Sequence, residues 1–151
     1  MADLPRSFVA LPVLAMLLAA TGGETRAHGT QSGQLRFEHP WSSTGVKGGE
    51  ARLFVFIENE EPQAISLLQA GTPVAERVEL RFADGTGGVG VLQSRSIRSG
   101  ESLNVASHHM WFSLLGLRRD LSAGERFVFD LEISDGRRVP LDVVVAERSA
   151  P

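Results

Sequence analysis

Residues Arg126 to Val145 read RFVFDLEI-SDGR-RVPLDVVV. Phe127, Phe129, Leu131 and Ile133 fall on one parity. Val139, Leu141, Val143 and Val145 do the same after the break. Side chains of an extended chain alternate between faces, so each half presents one apolar side and one polar side. The Ser134-Asp135-Gly136 break between two alternating runs is a hairpin signal. Pro140 cannot donate a backbone hydrogen bond, which predicts an edge position for the second strand. The chain is therefore expected to be built from strands.

Upstream segments repeat the pattern. Arg77-Val78-Glu79-Leu80-Arg81-Phe82 alternates with Val78, Leu80 and Phe82 on one side. Arg52 to Glu58 (RLFVFIE) is apolar on both parities and predicts a central strand. Shorter strands are expected at Leu35 to His39, Ala64 to Gln69, Val89 to Gln93 and Leu103 to Ala106. The first is expected to stop at Pro40. Turns are read at Asn59 to Pro62, Asp84 to Gly88, Ser99 to Ser102 and Ser122 to Glu125. Seven to nine short strands without helical periodicity predict an all-β sandwich or barrel. The expected core holds Phe54 or Phe56, Val78, Leu80, Phe127, Phe129, Leu141 and Val143.

The N-terminus reads differently. Phe8 to Ala20 (FVALPVLAMLLAA) is apolar but short for a bilayer and contains Pro12. Thr25-Arg26-Ala27 then offers small residues where a signal peptidase would need them. Residues 1–27 are expected to be a signal peptide and 28–151 a single exported domain, periplasmic and without stable membrane insertion after cleavage. Cleavage after Ala27 makes His28 the first residue, and a free α-amine beside an imidazole is a combination that binds Cu(II). A net charge of -3 gives no reason to expect nucleic acid. The absence of cysteine removes disulfides, thiolate metal sites, cysteine nucleophiles and a lipidated N-terminal Cys. No nucleophile elbow or phosphate loop is present, so an enzyme is not expected.

Ser107-His108-His109-Met110-Trp111-Phe112-Ser113 carries two of the four histidines and one of the three methionines. Imidazole beside thioether suits a soft or borderline metal, copper above all. A buried strand preceded by a histidine-bearing loop would give the same residues.

Several landmarks line up along the chain: Gly33-x-Leu35, Glu38-His39-Pro40-Trp41, Gly49-x-Ala51 and the strand ending Ile57-Glu58-Asn59. They continue with Arg77-Val78-Glu79-Leu80, Ile97 with Ser99-Gly100-Glu101, Leu115-Gly116-Leu117 and Leu121-x-x-Gly124-Glu125. Their order and spacing resemble the periplasmic copper chaperone family PCu(A)C. The resemblance implies a cupredoxin-like Greek-key β-sandwich or barrel. It also implies Cu(I) held by two histidines and two methionines, and delivery toward the CuA centre of cytochrome c oxidase. A copper acceptor such as its subunit II, or another assembly factor, would be the partner.

The family's ligand positions are substituted here. They fall on Arg81, on a methionine-free zone at Val89 to Leu92, on Trp111 and on Ser113. Arginine stays charged and donates only. Replacement soft ligands are available at His108, His109 and Met110. On a regular strand His109 shares the parity of Trp111 and Ser113, while His108 and Met110 take the opposite face. His39 sits in a His-Pro-Trp element that reads as structural. Two readings stand: a copper-chaperone-like protein with a degenerate Cu(I) site, or a metal-free β-sandwich that binds a protein partner through Arg81, Trp111 and Phe112.

Overall fold

The computed structural model describes residues 29–106 and 109–147, and none of these is helical. The expected signal peptide, His28, Ser107 and His108 lie outside the described residues. The described residues form eleven strands: β1 (Gly29–Ser32), β2 (Leu35–Ser42), β3 (Glu50–Asn59), β4 (Ile65–Gly71), β5 (Ala75–Ala83), β6 (Val89–Leu92), β7 (Arg95–Ile97), β8 (Ser102–Val105), β9 (Met110–Leu117), β10 (Arg126–Ile133) and β11 (Arg138–Val145). They form one curved sheet in the order β6-β5-β9-β3-β2-β11-β10-β4-β7, with β1 added to β2 and β8 to β3. All pairs are antiparallel except β11 with β2, which meet at Val144↔Trp41 and Val145↔Ser42.

The hairpin that set the fold forms as read. Phe127 faces Val143 and Phe129 faces Leu141 across β10 and β11. Gly136 takes φ 90°, a conformation that a Cβ would strain. The Asp135 carboxylate accepts the Arg137 N–H at 3.0 Å and fixes the turn. Phe129, Leu131, Ile133, Leu141 and Val143 are fully buried. They meet Leu53, Val55 and Ile57 of β3 and Phe112 and Leu114 of β9 in one core. The Phe112 and Phe129 rings pack edge to face at 5.1 Å.

The sheet nearly closes on itself. Its two end strands, β6 and β7, are joined by Gln93 and Ser94 but do not pair with each other. Below them a cleft of about 590 Å³ separates β4 from β5. Ala70, Val78 and Leu92 face the core yet stay half-exposed on its walls.

Several expectations change. Pro40 does not stop β2, which runs on to Ser42. His39 adopts φ 50°, and the register slips between Glu38 and Trp41, so the proline sits in a bulge where no ladder bond is demanded of it. β11 is not an edge strand. Pro140 nevertheless faces only Asp130 of β10, because β2 reaches β11 four residues later. The strand number exceeds seven to nine. The polar β1 and the three-residue β7 carry too few apolar positions to show a period. Phe54 is buried, but on the outer side of β3 against Trp41, with ring centroids 4.6 Å apart. Val78 is only partly buried because it lines the cleft.

Asn59 ends β3 and locks three loops together. Its side-chain amide donates to the carbonyls of Gln63, Ile97 and Arg98 at 3.0, 2.9 and 3.1 Å. Its Oδ1 accepts the Glu61 N–H at 3.0 Å. Its backbone carbonyl accepts the Gly100 N–H at 2.7 Å, and its own N–H donates to the Glu101 carbonyl at 3.0 Å. Asn59 and the Ser99-Gly100-Glu101 turn are thus one unit.

Two substitutions test this core. Phe129→Ala should cost about 3–5 kcal/mol in urea unfolding. A loss under about 1 kcal/mol would remove Phe129 from the centre of the core. Asn59→Ala strands buried carbonyls and should cost about 2–3 kcal/mol with an unchanged denaturant slope. A near-neutral result would show that water replaces the amide.

Candidate functional site

The positions that the resemblance marks as ligands do converge. On the outer face of the sheet, Val91 of β6, Arg81 of β5 and Trp111 of β9 lie in one cross-strand row. Glu79, Ser113 and Arg52 form the next row. Alternation puts Leu80, Leu92, Phe112 and Leu114 on the core side and leaves these residues outside. Glu50 and Arg52 of β3 complete the cluster.

What converges is a chain of hydrogen bonds and charges. The Trp111 indole N–H donates to Ser113 Oγ at 3.0 Å. The Ser113 hydroxyl donates to Glu50 Oε1 at 2.7 Å. Arg81 donates from Nε and Nη2 to Glu79 Oε2 at 3.0 and 2.8 Å. Its Nη1 stands 3.6 Å from Glu50 Oε1. Arg77 Nε donates to the other Glu79 oxygen at 3.1 Å. The Arg52 guanidinium lies 4.4 Å over the Trp111 ring, a cation–π contact. Ser113 is fully buried and Trp111 nearly so. A buried indole N–H and a buried hydroxyl each need a partner, and here each has one.

Electrostatics follow the geometry. The Arg81 guanidinium, through its hydrogen bonds and then its charge, holds the Glu79 carboxyl below its ordinary value, and Arg77 adds to this. Glu79 therefore releases its proton more readily in the folded chain than in the unfolded one. The stability this contributes is complete above the ordinary glutamate range. It is lost as pH falls through the lowered folded value.

The soft ligands are placed elsewhere. Met110 opens β9 opposite Phe82 and packs half-buried against the core, the face its parity demanded. His109 is exposed just before the strand, and its carbonyl accepts the Ala83 N–H at 3.0 Å. His39 is exposed on the β2 bulge. No three His, Asp or Glu side chains gather into a metal-holding group among the described residues. Phe112 belongs to the core and cannot be a surface contact, contrary to expectation. Glu50 and Arg52 were missed as site residues. They lie about sixty positions from Trp111, and only the β3–β9 register brings them to it.

The Leu115-Gly116-Leu117 element shapes the end of this face. Gly116 has φ 63°, and a Cβ there would meet the Glu76 carboxylate at 2.7 Å. Leu117 turns into the core, and its N–H donates to the Gly49 carbonyl.

The LpqE-like lipoprotein family pattern matches residues 35–145, from the start of β2 to the end of β11. The chain belongs to the LpqE-like family. It has no cysteine to carry a lipid. Solved structures agree on the fold. The copper-bound PCuAC domain from PmoF2 superposes with a TM-score of 0.70 at 16% identity, over 80% of this chain and 99% of that one. The apo PCuAC domain from PmoF1 gives 0.65 at 19%, over 82% and 100%. The Cu(I) form of DR1885 from Deinococcus radiodurans gives 0.59 at 22%, over 74% and 78%. No curated protein matches the chain. The cupredoxin-like PCuAC fold is thus established for this LpqE-like chain, with a salt-bridged cluster where the resemblance places ligands.

The charge network has a direct test. The Glu79 side-chain carboxyl carbon, followed by NMR, should titrate below an ordinary glutamate and move back up in Arg81→Met. If Glu79 titrates normally in the wild type, the guanidinium is not bonded to it in solution.

Proposed function

We propose that this chain is an exported, copper-chaperone-like protein that no longer uses the ligand face of its fold for Cu(I). The observation that carries this is the Arg81 guanidinium, bonded to Glu79 and beside Glu50 at the centre of that face. A fixed cation repels a metal ion, and Trp111 and Ser113 offer no soft donor. The LpqE-like family match and the shared fold with a copper-bound PCuAC domain support the chaperone class. Cu(I) is then carried weakly by His108, His109 and Met110. A weak, solvent-accessible site suits ligand exchange, in which an acceptor takes the ion as the carrier's ligands release it. Transfer toward CuA assembly of cytochrome c oxidase, in the periplasm, is the delivery this reading assigns.

A second reading is favoured by the same network. A cluster whose polar groups are already satisfied needs no metal to hold it together. The protein would then act as a metal-free interaction module, with Arg52, Arg81 and the exposed Val91 as the contact surface. Arginine is common at interface hot spots.

Cu(I) competition against a chelator under reducing conditions separates the two, using protein with a blocked N-terminus. The chaperone reading expects weak binding that disappears in His108→Ala/His109→Ala/Met110→Leu and survives Arg81→Met. Complete absence of binding in the wild type favours the interaction module. Tight binding that survives the triple substitution defeats both accounts of the site. Export is tested by the intact mass of protein from the extracytoplasmic fraction, which should begin at His28. Retention of residues 1–27 would mean an anchor.

A further inference from the structure

The gap between β4 and β5 is a framed window into the core. β4 pairs with β7 only over residues 65–67, which leaves residues 68–71 without a strand on that edge. β5 pairs with β6 only from Leu80 onward, which leaves residues 75–79 without one on the same side. Both free edges line the cleft of about 590 Å³. Thr72, in the β4–β5 turn, borders one end, and Gln93 and Ser94, which link β6 to β7, border the other. A cleft of a few hundred Å³ is the size that encloses a small molecule.

Its interior is apolar. Leu80, Phe112 and Leu131 line it from the core side, and Ala70, Val78 and Leu92 keep apolar surface half-exposed on the walls. Apolar surface left wet in a concave cleft drives an apolar ligand to cover it.

The free charge on the rim is positive. Both Glu79 oxygens are committed, one to Arg77 and one to Arg81. Glu76 makes no ion pair among the described residues, but its carboxylate lies over Gly116 of β9, 2.7 Å from where a Cβ would stand. β9 flanks β5 on the edge opposite the window, so that carboxylate is turned away from it. Arg118 is exposed and lines the cleft, and its backbone N–H donates to the Val74 carbonyl at 2.9 Å beside the β4–β5 turn. Its guanidinium has no hydrogen bond or ion pair among the described residues.

We propose that this window binds a small, medium-chain carboxylate, its alkyl part between Val78 and Leu92 and its carboxylate on Arg118. The frame disfavours a peptide. A strand laid along either edge has to run on past its ends, and both ends of the window are closed by the chain itself. The free edges span about 13–17 Å, which suits an alkyl chain of medium length. The inference is independent of Cu(I) at residues 108–110.

The test uses the chain purified from the extracytoplasmic fraction, near pH 7, where both a carboxylate and Arg118 are charged. It is titrated with decanoate and with decyltrimethylammonium, each below its micelle concentration, and followed by methyl NMR. Decanoate should saturate at one per chain, shift the methyls of Val78, Leu80, Leu92 and Leu131, and give intermolecular NOEs to Val78 and Leu92. Arg118→Gln should weaken decanoate about three- to fivefold, the size an exposed ion pair supports, and leave the cation's binding no weaker. Val78→Phe, which fills the window, should abolish saturable binding of decanoate. If that variant does not fold, Arg118→Gln and the NOEs decide alone. A capped, apolar heptapeptide is titrated alongside. Shifts of the amides of residues 68–71 by the peptide, with no effect of decanoate, would mean that the window takes a strand and would overturn the ligand. Decanoate binding that leaves these methyls unmoved overturns the site. Equal affinity for the cation, with no effect of Arg118→Gln, overturns the carboxylate.

Discussion

β3 is the constraint on which the rest depends. Its ten residues alternate between the core and the outer face, so every position is committed to one side. Ala51, Leu53, Val55 and Ile57 enter the core. Glu50, Arg52 and Phe54 supply the outer face. Its first half pairs with β9 and its second half with β8, while β2 takes the opposite edge. A one-residue slip in β3 would exchange the two sets and place Glu50 and Arg52 in the core. The burial of Leu53 and Ile57 against the β10–β11 hairpin therefore also fixes which residues meet Trp111.

That coupling explains why the ligand face could change without disturbing the fold. The outer residues of β5 and β9 are positioned by backbone register. Their side chains need only satisfy one another. Ser113 accepts from Trp111 and donates to Glu50, and Arg81 neutralises Glu79. Charges that are largely covered are tolerated when paired and hydrogen-bonded. The network is self-consistent at the positions where the resemblance places ligands.

Much of the architecture was legible from alternation. The β10–β11 hairpin, the two-sided β3 and the Val78 and Leu80 face of β5 follow from period-two patterning, because burial on a sheet is a local, alternating demand. β1 and β7 were not legible. A four-residue polar strand and a three-residue strand have no pattern to show, and they form because partners with satisfied registers are waiting. Pro40 misled for a related reason. A proline usually ends pairing, but the bulge at His39 removes the demand for its N–H.

The sequence by itself determined an all-β chain resembling PCu(A)C with substituted ligand positions, and it put Met110 on the opposite parity from Trp111 and Ser113 for a regular strand, which the structure then shows. Parity along one strand is a property of neighbouring residues and needs no partner. Only the tertiary structure decided what the substituted positions do. Glu50, Arg52, Glu79 and Arg81 come to Trp111 and Ser113 through the registers of three strands far apart in the chain. Register is chosen by the core on the other face of those strands, so nothing local to Trp111 reveals its neighbours.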